Sequence, residues 1–195
     1  MVGMESHPNP WQVVSSRSVY RNAWISVRED QVIRPDGEPG IYGVVEFENL
    51  ALGIVPIDDD GFTYLVGQWR YPLGRYSWEI PEGGGPLGVL ALESAQRELL
   101  EETGITAGRW IDLGAFDLSN SVTNESGRIY AATGLTIGKA EPEGSEDLRV
   151  RRVPLQEAWE MSMDGRITDA VSIIGLARAW RLYTDGLLRT TAGSA

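Results

Sequence analysis

One guanidinium and three carboxylates fall within six consecutive residues of this chain: Arg97, Glu98, Glu101 and Glu102, in the run Arg97-Glu98-Leu99-Leu100-Glu101-Glu102-Thr103-Gly104-Ile105. The surrounding pattern is helical from about Leu90 to Thr103. Leu92, Ala95, Leu99 and Thr103 recur at spacings of three and four and form one apolar stripe. Gly104 is then the expected left-handed C-cap, with Ile105 folding back on the last turn. Glu98 and Glu102 stack on one helical face, Glu101 sits beside them, and Arg97 stands one turn before Glu101. Such a helix works against itself. Like charges at i,i+4 repel by roughly 0.2–0.5 kcal/mol per pair. Negative charge in the last turn opposes the helix dipole by about 0.3–1 kcal/mol per group. A divalent cation resolves both conflicts, and a hard ion such as Mg²⁺ takes carboxylate oxygens while leaving positions open for phosphate. A solvated acidic face is the plainer alternative. The capped helix and the glycine-rich lead-in favour a metal site.

That helix needs a frame. It is entered through Pro81-Glu82-Gly83-Gly84-Gly85, whose glycines permit close backbone approach. The run lacks the Gly-Lys-Ser/Thr ending of a phosphate-binding P-loop, which excludes that class of ATPase. Upstream, Trp11–Val14, Ser18–Tyr20, Ile25–Val32 and Ile41–Glu48 read as strands, with a turn at residues 34–40. They form a small antiparallel sheet, too small for a convincing core of its own and expected to pack on the next domain or a second subunit. Leu50–Ile57 and Phe62–Tyr71 read as strands joined by a hairpin turn at Asp58–Gly61. Tyr76–Ile80, Gly108–Leu118, Arg128–Leu135 and Leu148–Val153 are further strands. Pro154 opens a helix to Met163. Thr168 is expected to cap a last helix to about Tyr183, with Ile173, Ile174, Ala177, Trp180 and Leu182 as its buried face. The expected boundaries are an N-terminal β extension at 1–47, a main domain at 48–186 and a flexible tail at 187–195. Strands, helix, strands and two helices fit an α/β fold, an α/β/α sandwich around a mixed sheet.

Composition removes other classes. The chain has 195 residues, of which 42% are hydrophobic, as in ordinary globular domains. With no cysteine and only His7, disulfides, thiolate chemistry, histidine triads and most zinc sites are excluded. The formal net charge of −11 opposes general affinity for nucleic-acid backbones. No apolar run reaches membrane-spanning length, and no secretory pattern opens the chain, so the expected location is the cytoplasm.

The stretch Gly83–Ile105 resembles the Nudix box: Gly, five residues, Glu, seven residues, Arg-Glu, an apolar residue, any residue, Glu-Glu, any residue, Gly and an apolar residue. Gly83 fills the first position, and Arg97, Glu98, Leu99, Glu101, Glu102, Gly104 and Ile105 fill the second half in register. The first Glu of the pattern falls on Val89. The resemblance covers most of residues 18–182. It extends to the ADP-ribose pyrophosphatase and nucleoside diphosphate sugar hydrolase group through Trp24-Ile25-Ser26-Val27, Gly67-Gln68-Trp69-Arg70-Tyr71-Pro72, Trp78-Glu79-Ile80-Pro81-Glu82-Gly83, Ser145-Glu146-Asp147-Leu148-Arg149-Val150 and Gly165-Arg166-Ile167-Thr168-Asp169-Ala170.

The resemblance implies the Nudix fold, a homodimer built through the N-terminal sheet, and hydrolysis of a nucleoside diphosphate sugar to a nucleoside monophosphate and a sugar phosphate. It implies roughly two or three Mg²⁺ ions, with Mn²⁺ as a substitute, that activate a water. By position, Glu98 and Glu102 are the principal metal ligands, joined by the backbone carbonyl of Glu82. Glu101 is a third ligand or the partner that fixes Arg97. Glu146 is the metal-binding or catalytic Glu of the distal loop, with Glu143 able to take the role because Gly144 stands two before Glu146. Arg70 is expected on a phosphate, Glu79 on a hydroxyl or a nearby Arg, Glu125 near the sugar, and Trp24 or Arg28 on the base. Gly83, Arg97 and Gly104 are structural within the motif. GDP-mannose hydrolysis and a non-catalytic nucleotide-sugar sensor are the alternatives.

Overall fold

The structure, a computed structural model, describes residues 7–140 and 147–188. Its residues divide into two compact units, one of residues 1–48 with 117–125 and one of residues 49–116 with 126–195.

In the first unit, β1 (Gln12–Arg21), β2 (Ile25–Ile33) and β3 (Pro39–Phe47) form an antiparallel sheet in that order. The sequence suggested two short strands where β1 is one. Register shifts between Val13 and Ser15 and between Ser18 and Tyr20 explain this, because each bulge breaks the alternation that marks a strand. The turn between β2 and β3 is closed by Arg34 N–H donating to the Glu38 carbonyl at 2.9 Å, with Gly37 at φ 89°. The segment 117–125 joins this unit. Val45 N–H donates to the Val122 carbonyl at 2.9 Å, and the Tyr42 hydroxyl to the Ser121 carbonyl at 2.7 Å. Among its described residues only Asp30 and Val32 are buried, and β1 is exposed along its whole length. This sheet has almost no core, as its size implied.

The second unit contains β4 (Asn49–Pro56), β5 (Phe62–Arg70), β6 (Arg75–Glu79), β7 (Glu82–Pro86), α1 (Ala91–Thr103), β8 (Ile105–Asp117), β9 (Ser126–Ile137), β10 (Arg149–Pro154), α2 (Leu155–Met163) and α3 (Ala170–Thr184). One sheet runs β7-β4-β9-β8, with β4 parallel to β9 and antiparallel to β7; a second runs β10-β5-β6, antiparallel throughout. Alternation along β4 builds two faces. Leu52 and Ile54 join Tyr130, Ala132, Ala95 and Leu99 in a core beneath α1. Gly53 and Val55 face the other way. A Cβ on Gly53 would lie 2.7 Å from Val171, and one on Gly175 of α3 would lie 3.3 Å from Val55. The α/β/α sandwich with a mixed sheet is therefore present, and each fully buried Leu or Ile in it contributes about 1.5–3 kcal/mol. Among the described residues no helix is long and apolar enough to cross a membrane.

Three expectations change. The glycines at 83–85 are strand, paired across Leu52↔Gly83 and Ala51↔Gly84. The cap of α3 is Asp169, whose carboxylate accepts from Ser172 N–H at 2.6 Å, while the Thr168 hydroxyl accepts from Arg75 at 2.9 Å. The buried face of α3 is Val171, Ser172, Gly175, Leu176 and Ala179, not the larger residues beside them. Small residues let α3 approach the sheet closely, while Trp180 sits at the flank, stacked on Trp159 of α2 at 5.3 Å. Apolar size marked the wrong stripe.

Candidate active site

Helix α1 has no side-chain N-cap, because Leu90 occupies that position; burial of Ala95, Leu99 and Thr103 holds it instead. Its C-terminus is fixed more firmly. The Thr103 hydroxyl donates to the Leu99 carbonyl at 2.5 Å and accepts from Ile105 N–H at 3.1 Å. Gly104 turns left-handed at φ 72°, and its N–H donates to the Leu100 carbonyl at 2.8 Å, as the sequence led us to expect. This end fixes Glu102, which is only 3% exposed and accepts at Oε2 from the backbone N–H of Glu82 at 3.0 Å.

One turn earlier, the carboxylate of Glu98 lies over Gly83, in the space a side chain there would fill. Arg97 spreads across the same edge. Its Nη2 donates to the Gly84 carbonyl at 3.0 Å and to Glu98 at 2.6 Å, and its Nη1 donates to Glu101 at 2.7 Å. Burial works against the charge of Arg97, but Glu98 and Glu101 outweigh it and raise its pKa. Of the two roles open to Glu101, the geometry here is that of the partner fixing Arg97.

A second group lies where β5, β6 and β7 meet the start of α3. Arg70 Nε donates to both oxygens of Glu79 at 3.0 Å, and Nη2 donates to Glu79 at 2.5 Å and also to Glu82. Glu79, only 2% exposed, thus holds a nearby Arg, one of its two expected roles. Nη1 of Arg70 makes no hydrogen bond to any described residue. Desolvation disfavours the Arg70 charge, yet Glu79 and Glu82 keep its pKa above the usual guanidinium value. Asp169 completes the group: Glu79, Glu82 and Asp169 each offer a carboxylate oxygen within 4.8 Å of the others. Burial first, then Asp169 and Glu79, push the Glu82 carboxyl well above the ordinary carboxylate range. Among the described residues, Glu82 Oε2 is buried without a hydrogen-bond partner. Sequence reasoning missed Asp169 as a member of this group. Its place just before the helix is a cap position, which the sequence reading assigns to Thr168, and Asp169 serves there instead.

The second unit thus brings together Arg70, Glu79, Glu82, Gly83, Arg97, Glu98, Glu101 and Glu102. Three other expected residues belong to the first unit. Trp24 is 69% exposed, not packed in a core as most tryptophans are. Arg28 donates to Asp30 at 2.9 Å and also pairs with Glu46. Glu125 N–H donates to the Thr123 hydroxyl at 3.3 Å. Val89, at the first Glu of the box, lies in an exposed turn where its N–H donates to the Pro86 carbonyl at 3.1 Å. Glu143 and Glu146 lie outside the described residues.

The donor set suits a hard divalent cation. Glu98, Glu102 and the backbone at Glu82 offer only oxygen, and the chain has neither a cysteine nor a histidine besides His7 to favour a softer metal.

Comparison with known proteins gives the family. The model of the NUDIX domain matches residues 48–171, and that of the nucleoside diphosphate sugar hydrolase N-terminal domain matches residues 11–45. An ADP-ribose pyrophosphatase of Mycobacterium tuberculosis is 34% identical over 173 residues, covering 85% of this chain and 81% of that protein. An ADP-ribose pyrophosphatase of Bacillus subtilis is 27% identical over 161 residues, covering 82% and 86%. Among solved structures, the crystal structure of an ADP compounds hydrolase superposes with a TM-score of 0.80 over 94% of this chain and 100% of that one; at 24% identity it shows the shared fold. With a family model spanning most of its length and the box residues assembled on one helix and strand, this chain belongs to the Nudix family and is a Nudix pyrophosphohydrolase.

Proposed function

We propose that the protein hydrolyses the pyrophosphate bond of ADP-ribose or a closely related nucleoside diphosphate sugar, in a reaction that depends on Mg²⁺. Water adds to one phosphorus, the bridging P–O bond breaks, and ADP-ribose yields AMP and ribose 5-phosphate. The observation that carries this reading is the joint placement of Glu98 over Gly83 and Glu102 on the Glu82 N–H, which aims two carboxylates of α1 at the strand that begins the box. The likeness to two ADP-ribose pyrophosphatases supports the substrate class.

Glu98, Glu102 and the Glu82 carbonyl are assigned as metal ligands. Bound there, the cation would neutralise pyrophosphate charge and lower the pKa of a water. Arg97, held by Glu101 and Gly84, keeps Glu98 in place. Arg70 binds a phosphate oxygen through Nη1, since its other edge is taken by Glu79 and Glu82. Glu146, or Glu143 in its place, accepts the proton of the attacking water. Trp24, Arg28 and Glu125 are assigned to the nucleoside and sugar. The protein acts in the cytoplasm as a homodimer, with residues 1–47 as the dimerisation extension and 48–186 as the hydrolase domain; the tail expected at 187–195 lies outside the described residues from residue 189 on. The exposed β1, with Val13, Val14 and Tyr20 open to solvent, supports that use of the small sheet.

A panel of ADP-ribose, GDP-mannose and other nucleotide sugars, each incubated with Mg²⁺ or Mn²⁺, tests the reading. Preferential release of AMP from ADP-ribose is expected. Preference for GDP-mannose would move the assignment within the class, and binding without cleavage would make the protein a sensor.

A further inference from the structure

The side chain of Glu82 has no need to be where it is. Arg70 is already balanced by Glu79, which takes Nε and Nη2 as a fork. Adding Glu82 and Asp169 leaves three carboxylates around one guanidinium, one of them with a buried oxygen that no described residue satisfies. Packing carboxylates this way costs stability. The placement of Glu82 suggests what offsets that cost. In β7 successive side chains point to opposite faces. A Cβ on Gly83 would point at Glu98, on the α1 face, so the Glu82 side chain points the other way, as does its partner across the ladder, Gly53, which faces Val171 of α3. Glu82 therefore reaches both clusters. Its carboxylate holds Arg70, and its backbone N–H holds the Glu102 carboxylate at 3.0 Å.

We infer that Glu82 is a positioning residue, one that sets the distance between the phosphate-binding guanidinium of Arg70 and the metal-binding carboxylate of Glu102. The inference rests on the proposed function for the roles of those two groups. Glu82 acts through them and not on the substrate: releasing its carboxylate frees Arg70 to move about Glu79, and lets the start of β7, with the Glu102 hydrogen bond, drift from α1.

The test compares Glu82→Ala, Glu82→Gln, Arg70→Ala and the double variant Arg70→Ala/Glu82→Ala in four measurements. These are ADP-ribose binding in EDTA by calorimetry, Mn²⁺ binding without nucleotide, steady-state kinetics, and thermal unfolding. Glu82→Ala is expected to weaken both metal-free ADP-ribose binding and Mn²⁺ binding by about 10- to 100-fold, with a rise in KM exceeding the fall in kcat. Glu82→Gln, whose amide oxygen still accepts from Arg70, recovers most of both. In EDTA the double variant binds ADP-ribose no worse than Arg70→Ala, because Glu82 acts there only through Arg70. The Tm of Glu82→Ala stays level or rises; a residue that merely holds the fold together would lower it. Glu82→Ala within about twofold of the wild type in both binding measurements, or losses that add fully in the double variant, would overturn the inference. Wild-type protein that cleaves no nucleotide sugar contradicts the proposed function instead, and the Mn²⁺ measurement still decides the role of Glu82.

Discussion

The carboxylate of Glu98 occupies the space that a side chain on Gly83 would fill. The glycine opening the box is therefore required by what crosses it, since its backbone is ordinary strand paired with Leu52. Because the overlapping atoms are the end of a flexible side chain, Gly83→Ala is expected to leave the fold standing and displace Glu98. We predict a loss of kcat/KM of about 100-fold with a small change in Tm, since displacing a reacting group by an ångström costs that order of rate. Steady-state kinetics beside a thermal melt checks this, and full activity in the alanine variant would show that Glu98 works from elsewhere.

Arg97 ties three groups together, the Gly84 carbonyl, Glu98 and Glu101, yet its side chain is 42% exposed. Exposed pairs contribute about 0–1 kcal/mol to stability. Arg97→Ala should therefore unfold at nearly the wild-type urea midpoint while losing about 10- to 100-fold in activity through the freed Glu98. Lysine, which cannot fork across three acceptors, should recover little. A variant destabilised and inactive in proportion would place Arg97 in the fold and not in the site.

Ser172 supplies the acceptor for the N–H of Ile80 at 2.9 Å, and both residues are fully buried. Ser172→Ala strands that N–H, at a cost of about 1–3 kcal/mol. For a chain of this length each kcal/mol lowers Tm by about 2–4 °C. Chemical denaturation with an unchanged m-value would locate the loss in the native state, and unchanged stability would mean the N–H finds another acceptor.

Glu82 carries a pH signature. Its carboxyl is raised above its ordinary 4.5 by burial, then by Asp169 and Glu79. The folded state therefore holds a proton that the unfolded chain has released, and stability declines as pH rises from about 4.5 to the folded value. Glu82→Gln removes this titration. Melts across the acid-to-neutral range, in EDTA, should show the variant equal to the wild type at the low end and more stable as pH rises. Parallel curves would mean that Glu82 ionises at no cost.

Much of this was legible in the sequence because local chemistry and periodicity agreed. The stripe of α1, the Gly104 cap and the pairing of Arg97 with Glu101 all lie within a few turns of one helix. What was not legible depended on contacts distant in sequence. Asp169 stands beside Glu79 and Glu82 only because α3 packs on the sheet through Gly175 and Ala179, and a reading weighted by apolar size placed Ile173, Ile174 and Trp180 on that face instead. The strand at 82–86 was hidden because its glycines have no side chains to alternate. The N-terminal strand was cut in two by bulges that only a partner strand reveals. The sequence named the residues of the Arg70–Glu82 link without linking them, since nothing local tells which way a side chain leaves β7.

The central claim is that carboxylates of α1 hold a divalent cation against a pyrophosphate. Incubating ADP-ribose with the wild type and with Glu102→Gln, each with Mg²⁺ and with EDTA, tests it most directly. The wild type should release AMP and ribose 5-phosphate only with the metal, and Glu102→Gln should fold normally and be at least about 100-fold slower. Intact ADP-ribose with the wild type and Mg²⁺, or turnover undiminished by EDTA or by Glu102→Gln, would contradict it.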